Sequence, residues 1–181
     1  MEALKTKQFW TLNLMLFNGI FFGSFLASVY KDFGSDGKIS DKALTVTGSI
    51  GSVGNGVSRI VWSALSDKYG FKKMYILVMI IQLVCTVAIS SCNTVAPLYT
   101  AVVALSFCCE GGHFTLFPAA SAYIFGITNG GVIYTAMAAF MPIGSLLCFM
   151  LVEMDVKESL IFYVAAALTA INMVILYFFN D

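Results

Sequence analysis

Six apolar runs, each about 20 residues long and joined by short polar links, constrain this chain more than any other feature. They cover residues 9–30, 44–65, 75–92, 98–123, 132–152 and 160–179. A bilayer's hydrocarbon core is about 30 Å thick, and a helix rises about 1.5 Å per residue, so runs of this length span it. Inside lipid the backbone must satisfy its own polar groups, which makes each run a helix. Composition agrees. Hydrophobic residues make up 59% of the chain and charged residues 11%, against about 25% charged in soluble domains. Too few polar side chains remain to cover a soluble surface. The expectation is an all-α integral membrane protein, with residues 1–181 forming a single six-helix transmembrane domain. The first run is too long for a signal-peptide core and no small-residue cleavage site follows it, so it counts as structure.

The same residues exclude several functions. A formal net charge of +0 leaves no basic surface for nucleic acid. The five cysteines, Cys85, Cys92, Cys108, Cys109 and Cys148, all lie in apolar runs. They form no C-x-x-C pair and no His/Cys cluster, so neither a disulfide framework nor a metal site is expected. Small apolar packing residues are the simpler reading of them. No nucleophile–base motif, metal-ligand spacing or phosphate loop is present, so the chain reads as neither an enzyme nor a cofactor carrier.

Lysine placement orients the spans weakly. Lys5, Lys7, Lys68, Lys72 and Lys73 fall on the face that holds both termini. Lys31, Lys38, Lys42 and Lys157 fall on the other face, among more acidic residues. Both termini are therefore expected on the cytoplasmic side, or on the matrix side in a mitochondrion.

Small residues let membrane helices approach closely. Gly19 and Gly23 lie in the first span, Gly48, Gly51, Gly54 and Gly56 in the second, Gly111 and Gly112 in the fourth, and Gly144 in the fifth. The third and sixth spans have no glycine and read as bulky and mostly featureless. Spans one, two, four and five are expected to pack closely or line a cavity, with three and six facing lipid. That order repeats inner–inner–outer twice. Three spans per copy invert the second copy, as in the inverted three-helix repeats of one large transporter class.

Two groups of polar residues stand inside the apolar runs. Gly51, Asn55, Arg59 and Ser63 recur every fourth residue and form one stripe on the second span. An intramembrane arginine costs at least about 2.5–3.5 kcal/mol at a helix centre. Arg59 either snorkels to the nearby headgroups, enters a structural ion pair, or lines a cavity. Its planar fork fits a carboxylate. Glu110 is the second buried charge, and His113, the only histidine, follows three residues later on the same helical face. The pair could carry a proton. In the structural alternative Glu110 is neutral or paired with Arg59.

The segment SALSDKYGFKK, residues 63–73, resembles the cytoplasmic loop motif of the major facilitator superfamily, G-x-L-S-D-R-x-G-R-R. Asp67, Lys68, Gly70 and Lys72 match it, while Ser63 replaces the first glycine and Phe71 replaces an arginine. FWTLNLMLFNGIFFGSF and GGHFTLFPAASAYIFGITNGGVIYTAMAAFMPIGSLL look like the seventh helix and the tenth–eleventh helices of the oxalate/formate-antiporter and monocarboxylate-transporter branch. The resemblance covers nearly the whole chain and is to the C-terminal six-helix half. It implies two inverted three-helix repeats, half of a major facilitator fold. It also implies that Asn55 and Arg59 match the branch's N/D-x-x-x-R pair, whose arginine faces the central cavity and binds the substrate carboxylate. Some oxalate-transporting relatives place a lysine on the eleventh helix. The matching span here has no charge, which makes a monocarboxylate the better-fitting ligand.

A full transporter of this class rocks one six-helix half against another. The features above favour a structural or accessory subunit of a larger membrane complex, with transport reduced or lost and a mitochondrial respiratory assembly as one candidate. The alternative is a homodimeric or two-chain transporter of monocarboxylate-type organic anions. The expected partners are the bilayer, other membrane subunits or a second half-transporter chain, and a monocarboxylate ligand. The mitochondrial inner membrane and the plasma membrane are the two candidate locations.

Overall fold

A computed structural model describes residues 2–154 and 156–179. A short 3-10 turn, Ala3–Lys5, leads into α1 (Lys7–Asp36). There follow α2 (Asp41–Tyr69), α3 (Phe71–Cys92), α4 (Ala96–Phe125), α5 (Ile127–Ala138), α6 (Met141–Glu153) and α7 (Glu158–Phe178). Helix starts carry local signals. Thr6 Oγ1 accepts the Phe9 amide at 3.2 Å ahead of α1, and Ser40 Oγ accepts the Ala43 amide at 3.4 Å ahead of α2. One residue, Gly70, joins α2 to α3 at φ 86°, a backbone region that side chains with a Cβ rarely adopt.

Five helical stretches are long and apolar enough to cross a membrane: α1, α3, α4, the α5–α6 pair and α7. The α2 helix is as long, but its glycines, serines, Asn55 and Arg59 make it less apolar.

Packing follows a repeating scheme. The central helices α1 and α4 touch each other; α1 also meets α6 and α7, and α4 also meets α2 and α3, while α3 packs on α7. Exchanging α1 with α4, α3 with α7, and α2 with α5–α6 maps this scheme onto itself. Two three-helix repeats related by a two-fold axis give that pattern. Among the described residues the fold is all-helical, and its two paired three-helix units match the architecture expected from the sequence.

The apolar core has two parts. Towards one end, Phe22, Phe25, Leu26, Phe33, Tyr99 and Phe162 are buried together, with the Phe162 ring edge-on to Phe25 at 5.3 Å and to Phe33 at 5.1 Å. Towards the other, Phe9, Leu16, Tyr75, Val78, Phe117 and Leu176 are buried together. Lipid chains are as apolar as these side chains, so close packing and internal hydrogen bonds, rather than escape from water, hold such helices together.

Three expectations change. The polar segment 31–42 is mostly helix: α1 continues to Asp36, and the connection shrinks to residues 37–40. Gly37 lies against the Asn93 carbonyl, where a Cβ would collide, and Lys38 takes the left-handed conformation at φ 64°. The fifth run is two helices rather than one. Pro142 has no amide proton to give to the Ala138 carbonyl, and the chain turns at residues 139–140 before α6 begins. Finally, α3 and α7 are not featureless. Their outer faces are apolar and exposed, among them Ile80, Val84, Tyr163 and Val174, but their inner faces carry Tyr75, Gln82, Thr86, Thr169 and Asn172, all buried.

Candidate functional site

The stripe on α2 holds a short hydrogen-bonded chain that crosses to α4. Arg59 Nε donates to Asn55 Oδ1 at 3.1 Å, one turn back along α2. Asn55 Nδ2 donates to Glu110 Oε2 on α4 at 3.1 Å. The Arg59 guanidinium carbon also lies 4.7 Å from the centre of the Phe114 ring, a cation–π contact. Of the alternatives open for Glu110, a direct pair with Arg59 is not formed: Asn55 stands between them, and no ion pair joins them among the described residues.

Small residues make this approach possible. A Cβ on Gly111 would strike Ser58 Oγ and the Asn55 carbonyl, and one on Gly23 would crowd the Glu110 carboxyl at 3.0–3.1 Å. The carboxyl therefore sits between α1 and α2 because both helices present backbone or an amide there.

Arg59 is exposed, about two-thirds of the way along a long helix. Since α2 continues to Tyr69, the residue lies about 15 Å from the helix end at 1.5 Å per residue. Its bond to Asn55 also draws the head towards the start of α2, away from the nearer end. The Asn55 bond and the Phe114 contact together hold the side chain in place. With Nε occupied, the two terminal amino groups are the edge left for a ligand. Arg59, Ser63, Asp67 and Thr115 line an open groove of about 480 Å³ on the α2–α4 surface, running to the loop motif.

Glu110 and His113 take separate hydrogen-bond partners. His113 is buried, and its Nε2 lies 2.8 Å from Gln82 Oε1 on α3. Gln82 Nε2 donates to the Gly19 carbonyl at 3.2 Å and to Thr169 Oγ1 at 3.0 Å. That leaves Gln82 Oε1 as the acceptor and makes His113 Nε2 the protonated nitrogen. A neighbouring set centres on Asn172, whose Nδ2 donates to the Met15 carbonyl at 2.8 Å and lies 3.1 Å from the Tyr75 hydroxyl. Asn18 Nδ2 donates to Asn172 Oδ1 at 3.2 Å. These groups tie α1, α3, α4 and α7 together in the interior, away from the Arg59 groove. Sequence reading missed Gln82 and Asn172, although each is an amide inside an otherwise apolar run.

The loop residues divide by role. Lys72 Nζ donates to the Phe179 carbonyl at 2.7 Å, so it caps the end of α7. Lys68 lies over the Tyr69 ring at 5.2 Å. Asp67 is exposed and, with Gly70, Phe71 and Tyr123, borders a cavity of about 390 Å³. Phe71, where the family motif has an arginine, stacks on Tyr75 at 5.4 Å and meets Phe117 and Phe179 edge-on. An aromatic cluster thus occupies the position where the motif has an arginine.

Among the described residues no group of three or more His, Cys, Asp or Glu side chains is arranged to hold a metal ion.

Comparison with known proteins places these features. The sequence profile of the Major Facilitator Superfamily matches residues 9–181. The chain is 32% identical over 145 residues to the oxalate:formate antiporter of Oxalobacter formigenes, covering 76% of this chain and 34% of the antiporter. It is 30% identical over 142 residues to apicoplast pyruvate carrier 1 of Toxoplasma gondii, covering 73% of this chain and 25% of the carrier. The chain thus spans 34% and 25% of the length of these two relatives. Both carry the names of transport proteins.

Proposed function

This chain belongs to the Major Facilitator Superfamily, and on that premise we propose that its six-helix bundle is one half of a carrier for a small organic anion of monocarboxylate type. Arg59 is the anion anchor and Asn55 its support. The observation that carries this reading is the posture of Arg59: exposed, far from either helix end, and held by Asn55 and Phe114 with its terminal amino groups open. A guanidinium is always charged and offers parallel donors that match a carboxylate. The α5–α6 segment from residue 127 to 152 has no charged residue, so the bundle offers one cation rather than two. That suits a monoanion better than a dianion. Two of the anions in the relatives' names, formate and pyruvate, are monocarboxylates, while the third, oxalate, is a dianion.

Transport needs a second six-helix half, against which this one would rock. The α2 face that bears Arg59 is the surface such a half would cover.

A second reading keeps the fold and drops the transport: a structural subunit of a membrane assembly, with a mitochondrial complex as one setting. The observations that favour it are Phe71 in place of the motif arginine and the uncharged fifth run. One experiment separates the two. The protein is purified with whatever stays bound in mild detergent, reconstituted into vesicles, and assayed for uptake of labelled pyruvate. Saturable uptake that falls tenfold or more in Arg59→Lys supports the carrier. Uptake insensitive to that change overturns the assignment of Arg59.

A further inference from the structure

We propose that Glu110 is a positioning residue for the anion site: through the Asn55 amide it fixes the direction in which Arg59 is held. The inference rests on the reading of Arg59 as the anion anchor, and it adds a residue on a different helix from the N/D-x-x-x-R pair.

An asparagine side chain has nearly the same shape when its oxygen and nitrogen are exchanged, so packing alone does not choose between the two orientations. Here the orientation matters. Arg59 Nε–H is a donor and takes the Asn55 side chain at 3.1 Å only if Oδ1 faces it. Rotated by a half-turn, the amide would present its own N–H groups to the guanidinium and repel it. Glu110 Oε2, 3.1 Å from Asn55 on the opposite side, accepts a hydrogen bond and so draws Nδ2 towards α4. One acceptor on α4 therefore sets the acceptor offered to Arg59 on α2.

Glu110 is itself confined. Gly23 of α1 lies against its Cγ, Cδ and Oε1, while Asn55 meets it from α2. Among the described residues no lysine or arginine forms an ion pair with it, which leaves the Asn55 amide as its hydrogen-bonding partner. Arg59 in turn touches Asn55 and the Phe114 face. With Asn55 misoriented it would keep the ring contact and lose the bond that aims Nε away from the ligand side.

The chain contains a single arginine, Arg59, so its Nε–Hε pair gives one resonance in arginine-selective ¹⁵N-labelled full-length protein in lipid nanodiscs. The expected wild-type signal is displaced from that of free arginine and slow to exchange with water. Glu110→Gln keeps an acceptor oxygen facing Asn55 and should leave the signal in place. Glu110→Leu removes the acceptor and should return the signal towards free arginine, with exchange at least tenfold faster. A Glu110→Leu signal unchanged from wild type overturns the proposal. So does a Glu110→Gln signal that behaves like free arginine, because charge rather than amide direction would then hold Arg59. If Glu110→Leu does not fold, Glu110→Met, which also removes the carboxyl acceptor while keeping a similar chain length, is read in its place with the same two outcomes. Titration with pyruvate is the separate test of the anion site. Variants that behave as expected while pyruvate leaves the resonance unmoved would retain the relay and remove the assignment of its ligand.

Discussion

Gln82 and Arg59 are both polar side chains in apolar helices, and they answer different demands. Gln82 has its partners inside the bundle: His113, the Gly19 carbonyl and Thr169. Gln82→Leu keeps the volume roughly and leaves the buried His113 ring nitrogen without its partner, while Thr169 keeps its bond to the Ala165 carbonyl. Leaving buried donors and acceptors unpaired costs about 1–3 kcal/mol, so the variant should unfold at lower denaturant in detergent titrations followed by circular dichroism. Its uptake per folded molecule should change little, since the set lies away from the groove. Among the described residues Arg59 has one hydrogen-bonded partner, Asn55, through Nε. Arg59→Lys keeps the charge and removes the planar donors. It should leave unfolding within about 0.5 kcal/mol of wild type, as surface changes usually do. The concentration for half-maximal pyruvate uptake should rise about tenfold or more, equivalent to about 1.4 kcal/mol. Stability and uptake thus separate the two roles, and a variant of Arg59 that mainly lowers stability contradicts its assignment.

Hydropathy and glycine spacing located the apolar runs because length and small-residue contacts are local properties of the chain. They missed the break before α6, although Pro142 is a visible signal, because a proline inside an apolar run is also compatible with a kinked continuous span, as Pro118 inside α4 demonstrates. They also treated α3 and α7 as plain. Which face of a helix turns inward depends on its neighbours, and Gln82 meets His113 only when α3 lies on α4. Glu110 and His113 were linked by spacing alone; Gly19 and Gly23 receive them one turn apart on α1, and each takes a different partner. The loop motif was read residue by residue, and there position 71 carries the sharpest consequence. Replacing Phe71 by the family's arginine looks like a repair in sequence. In the structure it would remove a ring stacked on Tyr75 and edge-on to Phe117 and Phe179. Phe71→Arg is therefore expected to destabilise by about 1–3 kcal/mol, below the loss typical of a fully buried aromatic because Phe71 is half-buried. Lys72→Met should loosen only the end of α7, by about 0.3–1 kcal/mol, visible as faster amide exchange at Leu176 and Phe178. An unchanged last turn would show that the Phe179 carbonyl has another partner.

The bundle as a whole has one side that suits lipid poorly. On α2, Ser49, Ser52, Gly56 and Arg59 are exposed beside Val53, Val57 and Ile60. A Cβ on Gly56 would meet nothing within 4 Å. The outer faces of α3 and α7 present branched and aromatic side chains instead. Charged and polar groups in hydrocarbon cost several kcal/mol unless they face protein or water, and small residues on a helix face permit a neighbour to approach. The α2 side should therefore be covered by a second six-helix half, whether that half belongs to a second copy, another chain or further sequence. A photo-crosslinker at Val57 tests this in native membranes. Adducts to helices that are not part of residues 1–181 identify the complementary half, and adducts between two Val57 positions identify a symmetric pair. In a symmetric pair two Arg59 charges would face one cavity, so its formation should strengthen as pyruvate is added; a pair indifferent to the anion would separate assembly from the site. The same crosslinker at Val84 of α3, on the lipid-suited side, should return mainly lipid. Equal protein adducts from Val57 and Val84 would remove the distinction between the two faces, and with it the case that α2 borders a transport cavity.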